Sequence, residues 1–221
     1  SNLQDCNKAI KGVDIILHQA ARGSIPRSTK DPISTNNDNL TGFLNMLTLA
    51  KNYKVKAFVY ASSSSVYGDS KTLPKIENRV GNVISNYALT KKMNEEYARL
   101  FFQLYDFKTI GLRYFNVFGQ RQNPHGDYAA VIPKWINNVK RNQNIVIFGD
   151  GKTSRDFCPI KNVVQANILA GVNNLKKKNY VFNVGTGSRI SLRKLSENIL
   201  NSFNLKKSSL KIIYKDFRKG D

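Results

Sequence analysis

The chain has 221 residues, 41% of them hydrophobic, which is enough to bury the core of one large domain or two modest ones. Wholesale disorder and a fibrous repeat are therefore excluded. Two cysteines, Cys6 and Cys158, and two histidines offer neither a disulfide scaffold nor metal-ligand spacing, so we expect no bound metal. No apolar run approaches the roughly 18 residues of a membrane span, and the first residues lack signal-peptide features. The sequence thus predicts a cytoplasmic protein without a membrane partner.

The formal net charge is +20, from 35 Lys and Arg against 15 Asp and Glu. Such an excess favours a nucleic-acid partner when it is concentrated on one element. Here the lysines are scattered, and the one run, at 176–178, falls between a helix and a strand, where a solvated turn accounts for it. We expect no nucleic-acid partner, although small anionic ligands remain compatible.

Hydrophobic periodicity predicts strands alternating with helices along the chain. In chain order these are a strand at 13–18, a loop at 23–34, a helix at 36–53, a strand at 57–61, a helix at 85–105, a strand at 109–113, a helix at 131–140, a strand at 145–148, a helix at 160–175, a strand at 180–184, a helix at 191–203 and a strand at 210–214. The loop is assigned because it holds Pro26 and Pro32. The helix at 160–175 carries Val164, Ile168 and Val172 on one face.

This alternation predicts an α/β fold with a doubly wound, mostly parallel sheet that is covered by helices on both faces. In such sheets functional residues collect at the carboxyl ends of the strands. That rule selects four segments, 18–24, 62–67, 114–119 and 185–187.

Tyr87 and Lys91 form the sharpest candidate pair. Residues four apart share a helix face, so the Lys91 ammonium can lie beside the Tyr87 phenol and favour its ionised form. Serines at the end of the preceding strand could meet that phenol. By itself the spacing is weak evidence, because a tyrosine packed under a solvated lysine gives the same pattern.

Further motifs follow one another in order along nearly the whole chain, at 12–21, 39–42, 61–68, 87–91, 111–119, 149–157 and 217–221. Together they resemble the extended short-chain dehydrogenase/reductase family, in particular its NAD-dependent nucleotide-sugar epimerases and dehydratases. Segments 23–28, 115–122 and 128–135 are most similar to the UDP-N-acetylglucosamine 4-epimerases of bacteria.

The resemblance implies a Rossmann-type NAD-binding fold with a smaller substrate-binding region. The implied division is a partial NAD-binding domain at 1–118, a substrate-domain segment at 119–158, a return to the first domain at 159–186 and a partial C-terminal substrate-binding domain at 187–221. The family's Gly-rich phosphate-binding turn does not precede Val13, and the pair Gly185 and Gly187 reads as a simple turn. We therefore expect an interior fragment that is inactive alone.

The resemblance also implies roles for individual residues. The catalytic set would be Tyr87, which takes the proton of the sugar 4-hydroxyl while hydride passes to NAD; Lys91, which lowers the pKa of Tyr87; and Ser63 with Ser64, which hold the sugar oxygen. The cofactor would be bound by Ala20, Ala21, Asn39, Tyr87, Lys91, Tyr114 and Phe115. The UDP-sugar would be bound by Gly23, Ser24, Ser65, Asn116, Gln122, Arg155 and Arg218.

Alternatives remain open at two of these positions. Arg155 could instead pair with Asp156 or Asp150, and Asn116 could be a turn-stabilising side chain.

Ser64 and Ser65 also separate the candidate reactions. The family's dehydratases carry an Asp-Glu pair at these positions, and a hydroxyl cannot do a carboxylate's acid/base work. The prediction is therefore NAD-dependent 4-epimerisation of a UDP-N-acetylhexosamine in polysaccharide biosynthesis, by a homodimer joined through the helices at 36–53 and 85–105. Epimerases of UDP-glucose/galactose or UDP-uronic acids are the alternatives, followed by a dehydratase and last a non-catalytic basic binding protein.

Overall fold

A computed structural model describes residues 1–126, 129–173, 179–203 and 210–217. The chain divides into two compact units: the first contains Ser1–Phe115 and Asn162–Val184, and the second contains Asn116–Lys161 and Gly185–Asp221. Within the described part of the chain, no helix combines the length and the apolar character needed to cross a bilayer. The lysine run predicted as a turn at 176–178 lies outside the described residues.

The strands in chain order are β1 (Ile15–His18), β2 (Ala57–Ser63), β3 (Thr109–Tyr114), β4 (Asn116–Phe118), β5 (Ile145–Phe148), β6 (Ser154–Arg155), β7 (Phe157–Pro159), β8 (Asn179–Val184), β9 (Ile190–Ser191) and β10 (Ile212–Lys215). The helices are α1 (Leu3–Ala9), α2 (Ile25–Lys30), α3 (Pro32–Asn36), α4 (Gly42–Asn52), α5 (Asn86–Tyr105), α6 (Val131–Lys140), α7 (Ile160–Val172) and α8 (Leu192–Ser202). Every predicted strand and helix has a counterpart, and two of them, 131–140 and 145–148, have the predicted bounds.

The first unit is built on a four-stranded sheet with the order β1-β2-β3-β8. All three pairings are parallel, with Val59 opposite both Leu17 and Ile110. On one face, α4 and α5 cover a core that includes Phe43, Leu47 and Phe58. The parallel, helix-flanked sheet confirms the predicted fold class.

On the opposite face, α7 lies against the sheet. A Cβ placed on Gly171 would approach Ile15 to 3.3 Å, so the helix sits close to β1. The apolar positions Val164, Ile168 and Val172 share a face of α7, as the sequence predicts, but this face is exposed within the described residues. The buried side of α7 instead carries Val163, Asn167, Ala170 and Gly171.

The prediction of a loop at 23–34 is wrong, because α2 and α3 occupy most of it. Ser24 caps α2 by accepting a hydrogen bond from the Arg27 amide at 3.3 Å, and Asp31 caps α3 through the Ser34 amide at 3.0 Å. Both prolines lie in the first turn of their helix, where the missing N–H costs nothing. A proline inside a loop and one that starts a helix look alike in sequence.

A π-helical segment, Asn37–Thr41, joins α3 to α4 without a break. The helix predicted at 36–53 is therefore the second part of a longer helical run at 32–52. The wider turn contains Asn39, whose side chain is buried. Such π segments are rare and frequently mark functional sites.

The second unit has three small pairings, β10-β5 and β4-β7 parallel and β6-β9 antiparallel. Its core packs α6 and α8 around β5 and includes Trp135, Ile147 and Leu195. The Trp135 indole is satisfied inside this core, because its Nε1 donates to the Val146 carbonyl at 3.1 Å.

Candidate active site

The residues of the predicted catalytic set come together where β2 ends. Ser63 is the last residue of β2, and its hydroxyl accepts hydrogen bonds from the Ser65 amide at 3.1 Å and the Ser65 hydroxyl at 2.9 Å. These bonds start a 3-10 turn, Ser64–Tyr67, directly after the strand. Ser63 is buried, while Ser64 and Ser65 are half-buried.

Tyr87 reaches this turn from the first turn of α5. The helix begins at a regular cap, since the Ser85 hydroxyl accepts from the Ala88 amide at 3.1 Å. The Tyr87 phenol lies within hydrogen-bond reach of Ser63. Burial raises the pKa of Tyr87 above its ordinary value, and the hydrogen bond with Ser63 lowers it only in part. Desolvation of the phenolate thus outweighs the favourable contact with Ser63 in the chain by itself, and the lowering of this pKa by Lys91 stays a prediction.

Lys91 lies one turn further along α5 and is almost completely buried, with 2% exposure. Its Nζ donates to the Ala61 carbonyl of β2 at 2.8 Å. Burial lowers the pKa of Lys91 to about 8, so the side chain still carries a charge at neutral pH. One of its three N–H groups is used by Ala61, which leaves donors for a ligand hydroxyl.

His18, at the carboxyl end of β1, feels the same ammonium. Burial, followed by the positive charge of Lys91, lowers the pKa of His18 to about 4, so the ring is neutral at pH 7. The imidazole stacks on Phe58 with ring centres 5.7 Å apart. His18 therefore adds no positive charge near Lys91 at neutral pH.

The predicted cofactor residues differ in their exposure to solvent. Ala20 and Ala21 follow β1 and are exposed. Asn39 is buried and holds this segment in place, because its side chain accepts from the Arg22 amide at 2.6 Å and donates to the Arg22 carbonyl at 3.1 Å. Its Nδ2 also lies 3.2 Å from the Thr90 hydroxyl of α5. The buried Asn39 side chain thus fixes the backbone of the segment that follows β1.

Tyr114, at the end of β3, belongs to a closed ring of three hydrogen bonds. Its hydroxyl donates to Gln19 at 2.7 Å, Gln19 donates to Asn167 at 2.8 Å, and Asn167 donates back to the Tyr114 oxygen at 2.7 Å. The ring joins the ends of β1 and β3 to α7. Phe115 continues the edge, with its amide bonded to the Val184 carbonyl at 3.1 Å.

The predicted sugar residues Gly23 and Ser24 lie between β1 and α2. Gly23 is exposed, with open space where a side chain would be. Ser24 has a φ of 119°, a backbone conformation that is unfavourable for any residue with a Cβ. This strain sits at the N-terminus of α2.

The remaining predicted substrate residues belong to the second unit or lie outside the described residues. Asn116 begins β4, and its side chain donates to the Asp156 carbonyl at 3.2 Å. Gln122 donates to the Val117 carbonyl at 3.3 Å, and its buried Oε1 has no partner among the described residues. Arg155 is exposed and donates to the Ser154 carbonyl. Arg218 lies outside the described residues.

Asp156 does not need Arg155 as a partner. Its carboxylate accepts from the amides of Thr186 and Gly187, each at 2.9 Å from Oδ2. These bonds close the turn after β8, where Gly187 has a φ of 75°. Gly185 and Gly187 therefore lie in a simple turn, as the sequence predicts.

Sequence reasoning missed a buried ion pair directly behind the catalytic residues. Glu95 follows Lys91 by four residues on α5, and both its carboxylate oxygens bond the guanidinium of Arg113 in β3, at 2.9 and 2.8 Å. The spacing of Tyr87, Lys91 and Glu95 was a usable signal, since four-residue steps keep all three on one face of α5.

A parallel α/β sheet with a half-buried tyrosine and a buried lysine at the carboxyl end of a central strand is the arrangement of a dinucleotide-binding protein of the Rossmann type. The model of the NAD dependent epimerase/dehydratase family matches residues 1–185 of this chain, which is more than half its length. The chain belongs to this family.

Individual relatives agree with that assignment. A putative UDP-glucose 4-epimerase of Methanocaldococcus jannaschii is 36% identical over 212 residues, covering 96% of this chain and 67% of the relative. A UDP-N-acetylglucosamine 4-epimerase of Methanobrevibacter ruminantium, solved with UDP-N-acetylmuramic acid, is 36% identical with a TM-score of 0.93, covering all of this chain and 70% of that one. The UDP-glucose 4-epimerase of Thermotoga maritima, solved with UDP-glucose, is 32% identical with a TM-score of 0.92 and the same coverage.

These findings confirm the predicted family, the Rossmann-type fold and NAD as the cofactor on which the family depends. They also agree with the predicted enzyme class, an NAD-dependent nucleotide-sugar epimerase. The chain spans about two thirds or less of the length of the first curated relatives it matches, so the activity of the whole protein is a matter for proposal.

The described residues fit one part of NAD, its nicotinamide ribose. Lys91 has unused N–H donors one helical turn from Tyr87, and Ala20 and Ala21 after β1 are small and exposed. Unused donors suit a ligand that presents neighbouring hydroxyl groups.

Proposed function

We propose that the protein interconverts the C4 epimers of a UDP-N-acetylhexosamine, UDP-GlcNAc and UDP-GalNAc, by a reversible NAD-dependent oxidation. One observation carries the proposal: Tyr87 meets Ser63 at the carboxyl end of β2, with the buried Lys91 ammonium one helical turn away. A phenol, a hydroxyl and a cation in this arrangement can hold an alcohol and accept its proton.

In the proposed reaction the residues of the chain handle oxygen and proton. Ser63 holds the 4-oxygen of the sugar, and Tyr87 takes the proton as the alcohol is oxidised. NAD, when bound, accepts the hydride of carbon 4 and later returns it. After the 4-keto sugar has rotated in the site and presents its other face, Tyr87 gives a proton back to the same oxygen. The Lys91 charge opposes the cost that burial places on the Tyr87 phenolate.

The residues that follow Ser63 argue against dehydration. Eliminating water needs an acid for the leaving hydroxyl and a base for a carbon-bound proton. Ser64 and Ser65 are half-buried hydroxyls in the 3-10 turn and cannot supply either near neutral pH. Epimerisation needs neither group, since only the 4-oxygen gains and loses a proton.

The choice of an N-acetylated sugar is the finer part of the proposal. It is supported by the short side chain of Ser65 and by the M. ruminantium relative, which is a UDP-N-acetylglucosamine 4-epimerase. UDP-glucose is the principal alternative, because the relatives from M. jannaschii and T. maritima are named for it. The UDP-diphosphate contacts of Asn116, Arg155 and Arg218 and the cytoplasmic location stay predictions.

The test is to assay the complete protein with UDP-GlcNAc and UDP-glucose side by side, as wild type and as Tyr87→Phe. We expect a higher kcat/KM with UDP-GlcNAc, and we expect Tyr87→Phe to abolish turnover while UDP-sugar binding measured by calorimetry stays intact. Tyr105→Phe is the matched control, because it removes an exposed hydroxyl from the same helix and should leave turnover unchanged. Substantial activity in Tyr87→Phe would refute the assigned mechanism.

We also propose that the protein is a homodimer that pairs through α4 and α5. The supporting observation is an apolar stripe on the outer face of α5. It consists of Leu89, Met93, Leu100 and Leu104, which are exposed and lie within one sector of the helix.

A further inference from the structure

Three residues of α5 hold three consecutive residues of β2. Tyr87 meets Ser63, Lys91 bonds the Ala61 carbonyl, and the Ser62 hydroxyl donates to Glu95. The proposed catalytic function uses the first two of these contacts. The third contact, between Ser62 and Glu95, has no part in the proposed chemistry, yet Glu95 makes more hydrogen bonds than either of the other two α5 side chains makes to β2.

Glu95 is the centre of a buried network. Its two carboxylate oxygens bond Arg113 in a fork, and the Glu95 and Arg113 side chains are only 5% and 4% exposed. Burial alone would lower the pKa of Arg113, but the Glu95 carboxylate raises it above its ordinary value. The two side chains are thus closely matched in geometry, with two parallel hydrogen bonds between them.

Arg113 extends the network to the segments that surround Ser63. Its Nη1 donates to the Glu77 carbonyl at 2.9 Å, and its guanidinium lies 4.9 Å from the centre of the Tyr67 ring. Tyr67 is the last residue of the 3-10 turn that Ser63 begins, and its hydroxyl donates to Asn183 of β8 at 2.6 Å. Glu95 is therefore tied to both ends of the turn, through Ser62 and through Arg113.

A buried ion pair is a poor device for stability alone, because the desolvation of two charges offsets most of their attraction, and well-packed apolar residues often serve as well. Its distinctive property is geometric. The planar guanidinium and the carboxylate fit in one arrangement, whereas the ammonium of Lys91 is a point charge on a flexible stem that can follow a displacement. Of the contacts between α5 and the sheet, the fork of Glu95 is the one that fixes position most strictly.

We propose that Glu95 is a positioning residue: anchored by Arg113 and Ser62, it sets the register of α5 against the end of β2 and so holds the Tyr87 phenol at Ser63. The proposal rests on the function proposed above. Glu95 lies two turns from Tyr87, about 12 Å along the axis, so it acts through the helix and never through the reacting atoms. A displacement of about 1 Å between Tyr87 and Ser63 is enough to slow proton transfer about 100-fold.

The deciding experiment is the double variant Glu95→Leu/Arg113→Met in the complete protein, which removes the fork while keeping the net charge of the pair at zero. We expect its unfolding midpoint to exceed that of Glu95→Leu alone, because no charge is left buried without a partner. We expect kcat to fall about 100-fold with KM for the UDP-sugar unchanged. The acid limb of kcat against pH should move to higher pH, because Tyr87 loses the hydrogen bond that lowers its pKa.

Two further variants keep the proposal open to refutation. Ser62→Ala preserves the ion pair and removes its hydrogen bond to β2. It should lower kcat and move the acid limb to higher pH, each by less than in the double variant. If the double variant fails to fold, Ser62→Ala is the deciding measurement. Glu96→Gln is the matched control on the adjacent, partly exposed carboxylate, which pairs with Lys92 and Arg99, and it should change none of the three readouts.

The outcomes separate the positioning role from the proposed function. A folded double variant, or Ser62→Ala where the double variant does not fold, with the kcat and pH profile of the wild type would overturn the role of Glu95 and leave the function intact. A complete wild-type protein that turns over none of the UDP-sugars would instead overturn the proposed function.

Discussion

Replacing Lys91 by methionine should make the protein more stable while it destroys activity. Burial lowers the pKa of Lys91 from 10.5 to about 8, a displacement of about 2.5 units. At 1.36 kcal/mol per unit, the buried ammonium costs the folded state about 3 kcal/mol wherever the lysine is charged in both states, which is below pH 8. Methionine has a similar length and no charge, so the variant should recover much of this free energy at pH 7.

The same reasoning gives the dependence on pH. Between pH 8 and 10.5 the unfolded chain still binds the proton that folded Lys91 has lost, so in this window the wild type gains stability as pH rises. The advantage of Lys91→Met in free energy of unfolding should therefore shrink from pH 7 to pH 10.

Urea denaturation of the complete protein at these two pH values measures the effect. Lys92→Met is the control, since Lys92 forms a partly exposed pair with Glu96 and should contribute less than about 1 kcal/mol at either pH. A Lys91→Met protein that is less stable than the wild type at pH 7, or one whose advantage does not shrink, would refute the account of a charge held at a cost for catalysis.

Two other predictions concern the backbone of Ser24 and the stripe on α5. Ser24→Gly should stabilise the protein by about 1 kcal/mol, because relief of the strained φ exceeds the few tenths lost from the cap, whereas Ser24→Ala keeps the strain, loses the cap and should destabilise by about 1 kcal/mol in thermal or urea unfolding. The opposite order of the two variants would show that the backbone is not strained. Leu100→Glu/Leu104→Glu should convert a dimer into a monomer in sedimentation velocity, and an unchanged sedimentation coefficient would place the interface elsewhere.

The order of strands and helices could be predicted because each element carries its own periodicity. The segment at 145–148 is a short run of branched residues, and the helix at 131–140 has its apolar residues on one side, so neither depends on a distant partner for recognition. The prediction of a loop at 23–34 was wrong for a local reason. Pro26 and Pro32 start helices there, and only the capping bonds of Ser24 and Asp31 reveal it.

The catalytic set could be predicted because its residues are close together in sequence. Tyr87 and Lys91 are four residues apart on one helix, and Ser63 and Ser64 lie at the end of one strand. What could not be predicted depends on contacts between distant parts of the chain. The pKa of Tyr87 follows from its burial, which the sequence does not display, and Arg113 meets Glu95 only because β3 lies beside β2 in the folded sheet. The contacts of Asn39 with the backbone of Arg22, 17 residues earlier, likewise form only in the fold, and the position of Asn39 near a ribose stays a prediction.

The π-helical segment at Asn37–Thr41 determines what a one-residue deletion at this point of the chain would do. A π-helical turn holds one residue more than an α-helical turn, so loss of one residue at 37–41 would turn the wide segment into ordinary helix and keep Phe43 and Leu47 facing the core. Such a deletion would instead remove the local backbone path that presents Asn39 to Arg22. The extra residue thus serves the loop after β1 and not the packing of α4.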